Sequence, residues 1–188
     1  MTSSKQLLTP LICAALITCL KCEIFDFLHQ PLPDISKFYS NDSIILTVNT
    51  TAQTSIRCKV DFVNKTTPNY TDFIRCYIAN ENITKTNLEG KFMKLDFLRE
   101  GQNVYDAMMV GPKDGMVTSI EQLQYVYGNY TCGIFKVSSA LRSQAYHLEV
   151  RVKNSSIEHP DESCVGKFLN LSKGKKVTTM YNESCQHT

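Results

Sequence analysis

From residue 43 onward, apolar and polar side chains alternate with a period of two in short stretches, each ended by turn-forming residues. Eight stretches carry this pattern: 43–49, 56–62, 72–78, 91–98, 105–110, 117–127, 131–137 and 146–152. A period of two sends successive side chains to opposite faces of a sheet, so the chain reads as all-β and antiparallel. Gly128-Asn129 forms a compact hairpin turn between the sixth and seventh stretches, and Gly111-Pro112-Lys113-Asp114-Gly115 forms another. Strands joined in order by short links predict an eight-stranded up-and-down barrel, with a sandwich as the competing arrangement.

Two segments break the alternation. Residues 160–174 read as a helix: Pro160, Asp161 and Glu162 suit its start, Lys173, Lys175 and Lys176 its end, and Gly174 its termination. Cys164, Val165, Phe168 and Leu169 form its apolar stripe, with Lys167 and Asn170 toward water. The second segment, Glu23 to Tyr39, carries Ile24, Phe25, Phe27 and Leu28 before Pro31 and Pro33. It predicts a short broken helix placed to plug one end of a barrel.

The amino terminus changes the setting. Lys5 precedes an apolar run, Leu7 to Leu20, which is too short to span a bilayer and predicts a cleaved signal peptide over 1–22. Residues 23–188 then form one domain in a secreted, extracellular protein. Later segments offer neither a membrane span nor a lipid-anchor tail. Without Lys5 and Lys21 the remaining chain holds equal numbers of basic and acidic residues, so nucleic acid and charged membrane surfaces are not expected partners. Nine of the twelve asparagines lie in Asn-x-Ser/Thr sequons: Asn41, Asn49, Asn64, Asn69, Asn82, Asn129, Asn154, Asn170 and Asn182. Such enrichment points to a glycoprotein, with occupied sequons facing water.

Export makes Cys58, Cys76, Cys132, Cys164 and Cys185 disulfide candidates. Five is odd, so either Cys22 is retained and six thiols pair, or one stays free or bridges to a partner molecule. Cys76 is open to several readings: a buried thiol, a bond to Cys22 or to a second copy, or a cross-strand pair with Cys58. Cys164, Cys185 and His187 are too scattered for a zinc site, and the residues suggest no cofactor. Enzyme motifs are also missing: there is no Gly-x-Ser-x-Gly elbow, phosphate-cradling glycine loop or His-Glu-x-x-His, and His29, His159 and His187 fall in loops or tails.

An eight-stranded barrel with a helix on its flank is the lipocalin plan. The runs Tyr130 to Val137, Tyr146 to Glu149, Ser163 to Phe168 and Val177 to Cys185 resemble the carboxy-terminal half of the histamine-binding lipocalins of tick saliva. The resemblance is specific over 125–185 and topological before that. It implies disulfides Cys132–Cys164 and Cys58–Cys185, with no family partner for Cys76.

The resemblance also orients two strands. A helix on the outside turns Cys132 outward, which sends Gly133, Phe135 and Val137 inward and places Ile134 beneath Phe168. Matching the next strand puts Tyr146, Leu148 and Val150 toward the helix, so His147, Glu149 and Arg151 line the cavity. The reverse phase, a solvated polar face over an apolar interior, stays open to alternation alone. Glu149 inside would suit a protonated amine, and Arg151 a fatty-acid carboxylate. Further interior candidates are Ile74, Met93, Leu95, Phe97, Met108, Ile120 and Leu123, with Glu121 and Asp106 as additional acids.

Amine binders of the family commonly carry an acid after the cysteine, where this chain has Gly133, and Glu-Leu-Trp/Tyr where it has His147-Leu148-Glu149. The chain has no tryptophan for a cation cage. The resemblance thus implies a carrier that traps a small host mediator, a lipid, sterol or eicosanoid in preference to histamine or serotonin, to blunt inflammation or immunity. The competing reading is a glycoprotein acting through its surface on a host protein or immune cell; under either reading a monomer is expected, with a disulfide dimer through Cys76 as the alternative.

Overall fold

The computed structural model describes residues 32–97, 104–141 and 145–187, excluding the side chains of Gln186 and His187. Residues 1–22, expected to be a signal peptide, and the apolar segment 23–31 lie outside the described residues. The chain divides into two compact units, Met1–Leu32 with Asp96–Gln102 and Pro33–Leu95 with Asn103–Thr188. Only Leu32, Asp96 and Phe97 of the first are described; the second is the barrel.

Its strands are β1 (Ile44–Thr50), β2 (Arg57–Thr66), β3 (Tyr70–Ala79), β4 (Asn82–Met93), β5 (Ala107–Gly111), β6 (Ser119–Tyr127), β7 (Cys132–Ser139) and β8 (Tyr146–Lys153). They pair antiparallel in chain order, β8 returns to β1, and β1 pairs with β2, which closes an eight-stranded up-and-down barrel. The interior holds Ile45, Val63, Phe73, Phe92, Met108, Val110, Leu123, Phe135 and Val137. A four-residue helix, α1 (Ile35–Phe38), capped by Asp34 through the Ser36 N–H, inserts Ile35, Phe38 and the following Tyr39 into one end. Phe38 meets Phe135 edge-on at 5.1 Å and Tyr39 lies 5.5 Å from Phe73, so this end is plugged.

The outer wall carries the second apolar cluster. The helix α2 (Glu162–Leu171), whose first turn is capped by the Asp161 carboxylate at the Cys164 N–H, buries Cys164 and Phe168 against Ile134, Leu148, Val150 and Val152. Leu169 does not join this stripe but stands exposed, because a stripe that packs on a flat wall narrows to the i, i+4 positions Cys164 and Phe168 and takes Leu171 next.

The fourth strand differs most from the sequence expectation. It starts at Asn82, well before the predicted 91, and ends at Met93. Asn80 and Glu81 both take positive φ (49° and 64°), a tight two-residue hairpin turn without the usual glycine. The alternation here is hidden because the inward positions near the open end are threonines, Thr84 and Thr86, facing outward Lys85 and Asn87. Phe92 rather than Met93 points inward, Leu95 lies beyond the strand, and Phe97 falls outside the barrel unit and is 72 % exposed. Ile74 and Ile120 likewise take the outer face, since their neighbours Phe73 and Glu121 are the buried ones.

Where β1 and β2 separate past Leu46↔Val60, a two-residue strand, β9 (Thr178–Thr179), pairs with β1 at Thr50 and Asn49. The Met180 carbonyl then accepts from the Cys58 N–H at 2.7 Å, and Cys58 itself sits in a bulge at φ 52°. The carboxy-terminal segment therefore fills the seam of the barrel. Disulfides join Cys58 to Cys185 and Cys132 to Cys164, while Cys76 is a free thiol on the outer face of β3.

The Cys58–Cys185 bond closes a separation of 127 residues and Cys132–Cys164 one of 32. In the chain-entropy model, serine replacement of the first pair should cost about 5 kcal/mol and of the second about 4 kcal/mol. Urea unfolding of the two double variants should reproduce that order.

Candidate functional site

The end opposite α1 is open. Its pocket has a volume of about 340 Å³ and is walled by Thr50, Ala52, Thr54, Ile56, Tyr77, Val137 and Met180. Lys59, Arg75, Ser119, Glu121, His147 and Glu149 complete the lining. The side chains on its floor come from four strands whose inward positions reach the same level of the barrel. β2 supplies Lys59 and Asp61, β3 Arg75, β6 Glu121, and β8 His147, Glu149 and Arg151.

These groups form one layer. Arg75 grips Asp61 in a bidentate pair (Nε–Oδ1 2.7 Å, Nη2–Oδ2 2.8 Å) directly across the β2–β3 ladder, and its Nη1 donates to Glu121 at 2.8 Å. Arg151, wholly buried, donates through Nε to Glu149 at 2.8 Å and through Nη1 to Glu121 and to the Tyr39 hydroxyl. Tyr39 in turn donates to Asp61 at 2.8 Å, which ties the plug to the layer. Lys59 Nζ donates to both oxygens of Glu149 at 2.8 and 2.9 Å, and His147 Nε2 lies 3.2 Å from the same carboxylate. Beneath, Arg151 stacks 4.4 Å from the Phe135 ring and Arg75 5.3 Å from that of Phe73.

The layer is electrically balanced, with Asp61, Glu121 and Glu149 against Lys59, Arg75 and Arg151. Burial alone would raise the Glu121 carboxyl, but Arg151, Arg75 and Lys59 outweigh it and hold it well below the usual carboxylate range. Burial would also raise Glu149, and Lys59 and Arg151 bring it well below its ordinary value. Lys59 is pulled both ways: burial and then the Arg75 charge lower it, Glu149 pushes back, and the net shift is downward. Burial raises Tyr39, which stays a neutral hydroxyl.

Among the sequence candidates, His147, Glu149 and Glu121 line the pocket, while Arg151 completes the layer one step deeper. Phe135 and Met108 lie below it in the packed interior and are separated from the pocket by the layer. Phe97 has no place there. Asp106 is buried away from the layer, accepting from the Leu95 N–H and the Gln122 amide at 2.7 Å each. Lys59, Asp61, Arg75 and Tyr39 were missed, because Lys-Val-Asp and Ile-Arg-Cys read as strands with a solvated polar face. The available signal was a matched set of opposite charges on four strands.

Position 133 is closed to an acid. A Cβ there would come within 2.8 Å of Phe38 and 2.9 Å of Leu123, so the plug fills the space such a side chain would need. Among the described residues, no group of three or more His, Cys, Asp or Glu is arranged to hold a metal ion, and no helix is long and apolar enough to cross a membrane.

Comparison with solved structures supports the barrel. The crystal structure of AM182 with serotonin superposes with a TM-score of 0.61 at 13 % identity, covering 83 % of this chain and 94 % of that one. Japanin from Rhipicephalus appendiculatus bound to cholesterol gives 0.51 at 10 %, covering 81 % and 100 %. The siderocalin Ex-FABP gives 0.53 at 5 %, covering 76 % and 90 %. No curated protein matches the sequence significantly. The family model described as tick histamine binding protein matches residues 47–187, from the middle of β1 through both disulfides, and on that match the chain belongs to the tick histamine-binding lipocalin family.

Proposed function

We propose that this chain is a secreted salivary lipocalin that sequesters a small amphipathic host mediator at the open end of its barrel, suppressing inflammation or immunity at a feeding site. The ligand class favoured is a lipid, sterol or eicosanoid, ahead of histamine and serotonin. The observation that carries this reading is the balanced layer: each of its three carboxylates, Asp61, Glu121 and Glu149, is already met by a resident cation. A protonated amine gains from a buried acid only if that acid is unpaired or its cation is expelled, and expulsion would strand a charge in a low-dielectric site. A ligand with a hydroxyl needs no such exchange, and one with a carboxylate has to share Lys59 with Glu149. Either can accept from Lys59 while Glu149 keeps Arg151 and His147, with its apolar part against Ile56, Tyr77, Val137 and Met180.

AM182 in complex with serotonin and japanin with cholesterol show that related barrels hold both an amine and a sterol. The Gly133–Phe38 contact favours the second chemistry here, since the position where amine binders carry an acid has no room for one.

Native mass spectrometry of the protein secreted from eukaryotic cells, deglycosylated without denaturation, should show a bound mass in the lipid or sterol range that a denatured control loses. Uptake of added histamine or serotonin but of no lipid would overturn this reading, and uptake of neither would move the activity to the surface. Lys59→Met should weaken binding of a fatty-acid carboxylate by about tenfold or more, measured by displacement of a fluorescent fatty acid, because it removes a charged donor facing the pocket.

Glu121 and Glu149 have folded-state pKa values below their unfolded ones, so their contribution to stability is fully present above about pH 4.5 and is lost as pH falls through the folded values. Thermal unfolding should therefore be nearly flat from about pH 7 to 5 and drop steeply below about 4. Glu121→Gln should lower the neutral-pH midpoint and make the acid limb shallower.

A further inference from the structure

The two ends of the barrel differ in what they present to their surroundings. Asn41, Asn64, Asn69, Asn129 and Asn154 all stand at the plugged end, on the β2–β3 and β6–β7 sides and where β1 begins and β8 finishes. Toward the open end stand Asn82 on the β3–β4 hairpin, Asn49, which is half-buried opposite β9, Asn170 in the last turn of α2, and Asn182 between Met180 and the Cys58–Cys185 bond. The β5–β6 and β7–β8 turns carry none among their described residues.

Those two turns instead carry the most exposed large apolar side chains described, Met116 at 82 % and Leu141 at 87 %, with Val117 and Tyr146 beside them. They are neighbours on one side of the mouth, since Ala140 N–H donates to the Thr118 carbonyl at 3.1 Å. The β5–β6 turn is held in shape: the Gly115 N–H donates to Pro112, the Thr118 N–H to Val110, and a Cβ at Gly111 would lie 2.5 Å from the Met116 carbonyl oxygen. Met116 is thus presented outward by a braced hairpin.

Cations surround these tips. Lys136 and Lys175 both lie over the Tyr146 ring, at 4.7 and 4.5 Å, Lys113 is on the Met116 turn, and Lys176 is held at the β1–β2 turn by Gln53. Acids on the described residues of the open-end turns are Asp114 and Glu81. Overall neutrality conceals this local excess of positive charge. Apolar tips among lysines, with a tyrosine between, match the chemistry of a bilayer interface.

We propose that this rim, Met116 and Leu141 with Lys113, Lys136, Lys175 and Tyr146, docks the barrel mouth on an anionic lipid membrane. Sugars at the opposite end would then face away from the bilayer, and the pocket would open onto it. The docking stands independently of what the pocket holds; collection of a ligand from the bilayer rests on the lipid reading above.

The test is flotation of the glycosylated protein with phosphatidylcholine vesicles, with and without phosphatidylserine, at about 0.1 M salt and again at about 0.5 M. Binding should require phosphatidylserine, weaken at the higher salt, and fall about tenfold or more in a Met116→Ser, Leu141→Ser double variant. Both side chains are exposed and outside the pocket lining, so the variant should keep its fold and its affinity for dissolved fatty acid. Absence of binding to either vesicle, or an unaffected double variant, would overturn the proposal. Loss of dissolved-ligand affinity in that variant would also overturn it, by placing the two residues in the pocket. Native mass spectra with a bound lipid but no vesicle binding would leave the carrier standing and remove the docking alone.

Discussion

Six charges gathered in one layer across the barrel, four of them buried and Lys59 and Arg75 nearly so, are the constraint on which the rest of the architecture turns. Taking a carboxylate or guanidinium out of water is so costly that each must be met by partners of good geometry. Asp61, Glu121 and Glu149 are shared among Lys59, Arg75 and Arg151, and the plug joins through the Tyr39 hydroxyl. Net stability is not what such a layer supplies, since desolvation offsets much of the attraction. Its consequence is positional: the two arginines are each shared between two of the acids, so neither can move without leaving a carboxylate short of a partner.

The layer divides the barrel into two compartments. Below it, Phe38, Tyr39, Phe73, Phe92 and Phe135 pack in one apolar cluster, and Gly133 is the small residue that lets Phe38 enter. Above it, threonines and a few apolar side chains enclose the pocket. The pocket thus has a polar floor and a mixed wall, and its depth is set by where the arginines lie. Gly133 and the charge balance are linked in this sense, because the space that would receive an extra acid is held by the plug.

The barrel seam shows a second dependence. β1 and β2 share few ladder pairs, and the gap past Leu46 is filled by Thr178, Thr179 and Met180 from the end of the chain. Backbone groups that a splayed pair would leave without partners are satisfied in this way. The Cys58–Cys185 bond then secures the segment beside the pocket, where Met180 contributes to the wall. On the other flank, Cys132–Cys164 secures α2 to β7 over a continuous apolar contact.

Much of this could be read before the fold. Period-two alternation located seven of the eight barrel strands within a few residues, and the capping pattern around Asp161 located α2. The strand that escaped, β4, carries threonines, Thr84 and Thr86, at its inward positions near the open end, so its two faces do not differ enough in polarity to reveal a period. The buried layer escaped for a related reason. Alternation shows that Lys59 and Asp61 share a face, as do His147, Glu149 and Arg151, but a polar face is outward by default, and only the family resemblance turned β8 inward. Whether charges can be buried depends on partners, and the partners of Lys59 and Asp61 stand 90 and 14 residues away on other strands. Local sequence carries the spacing of side chains along one strand, whereas the balance of three acids and three bases exists only once four strands are brought to one level of a closed barrel.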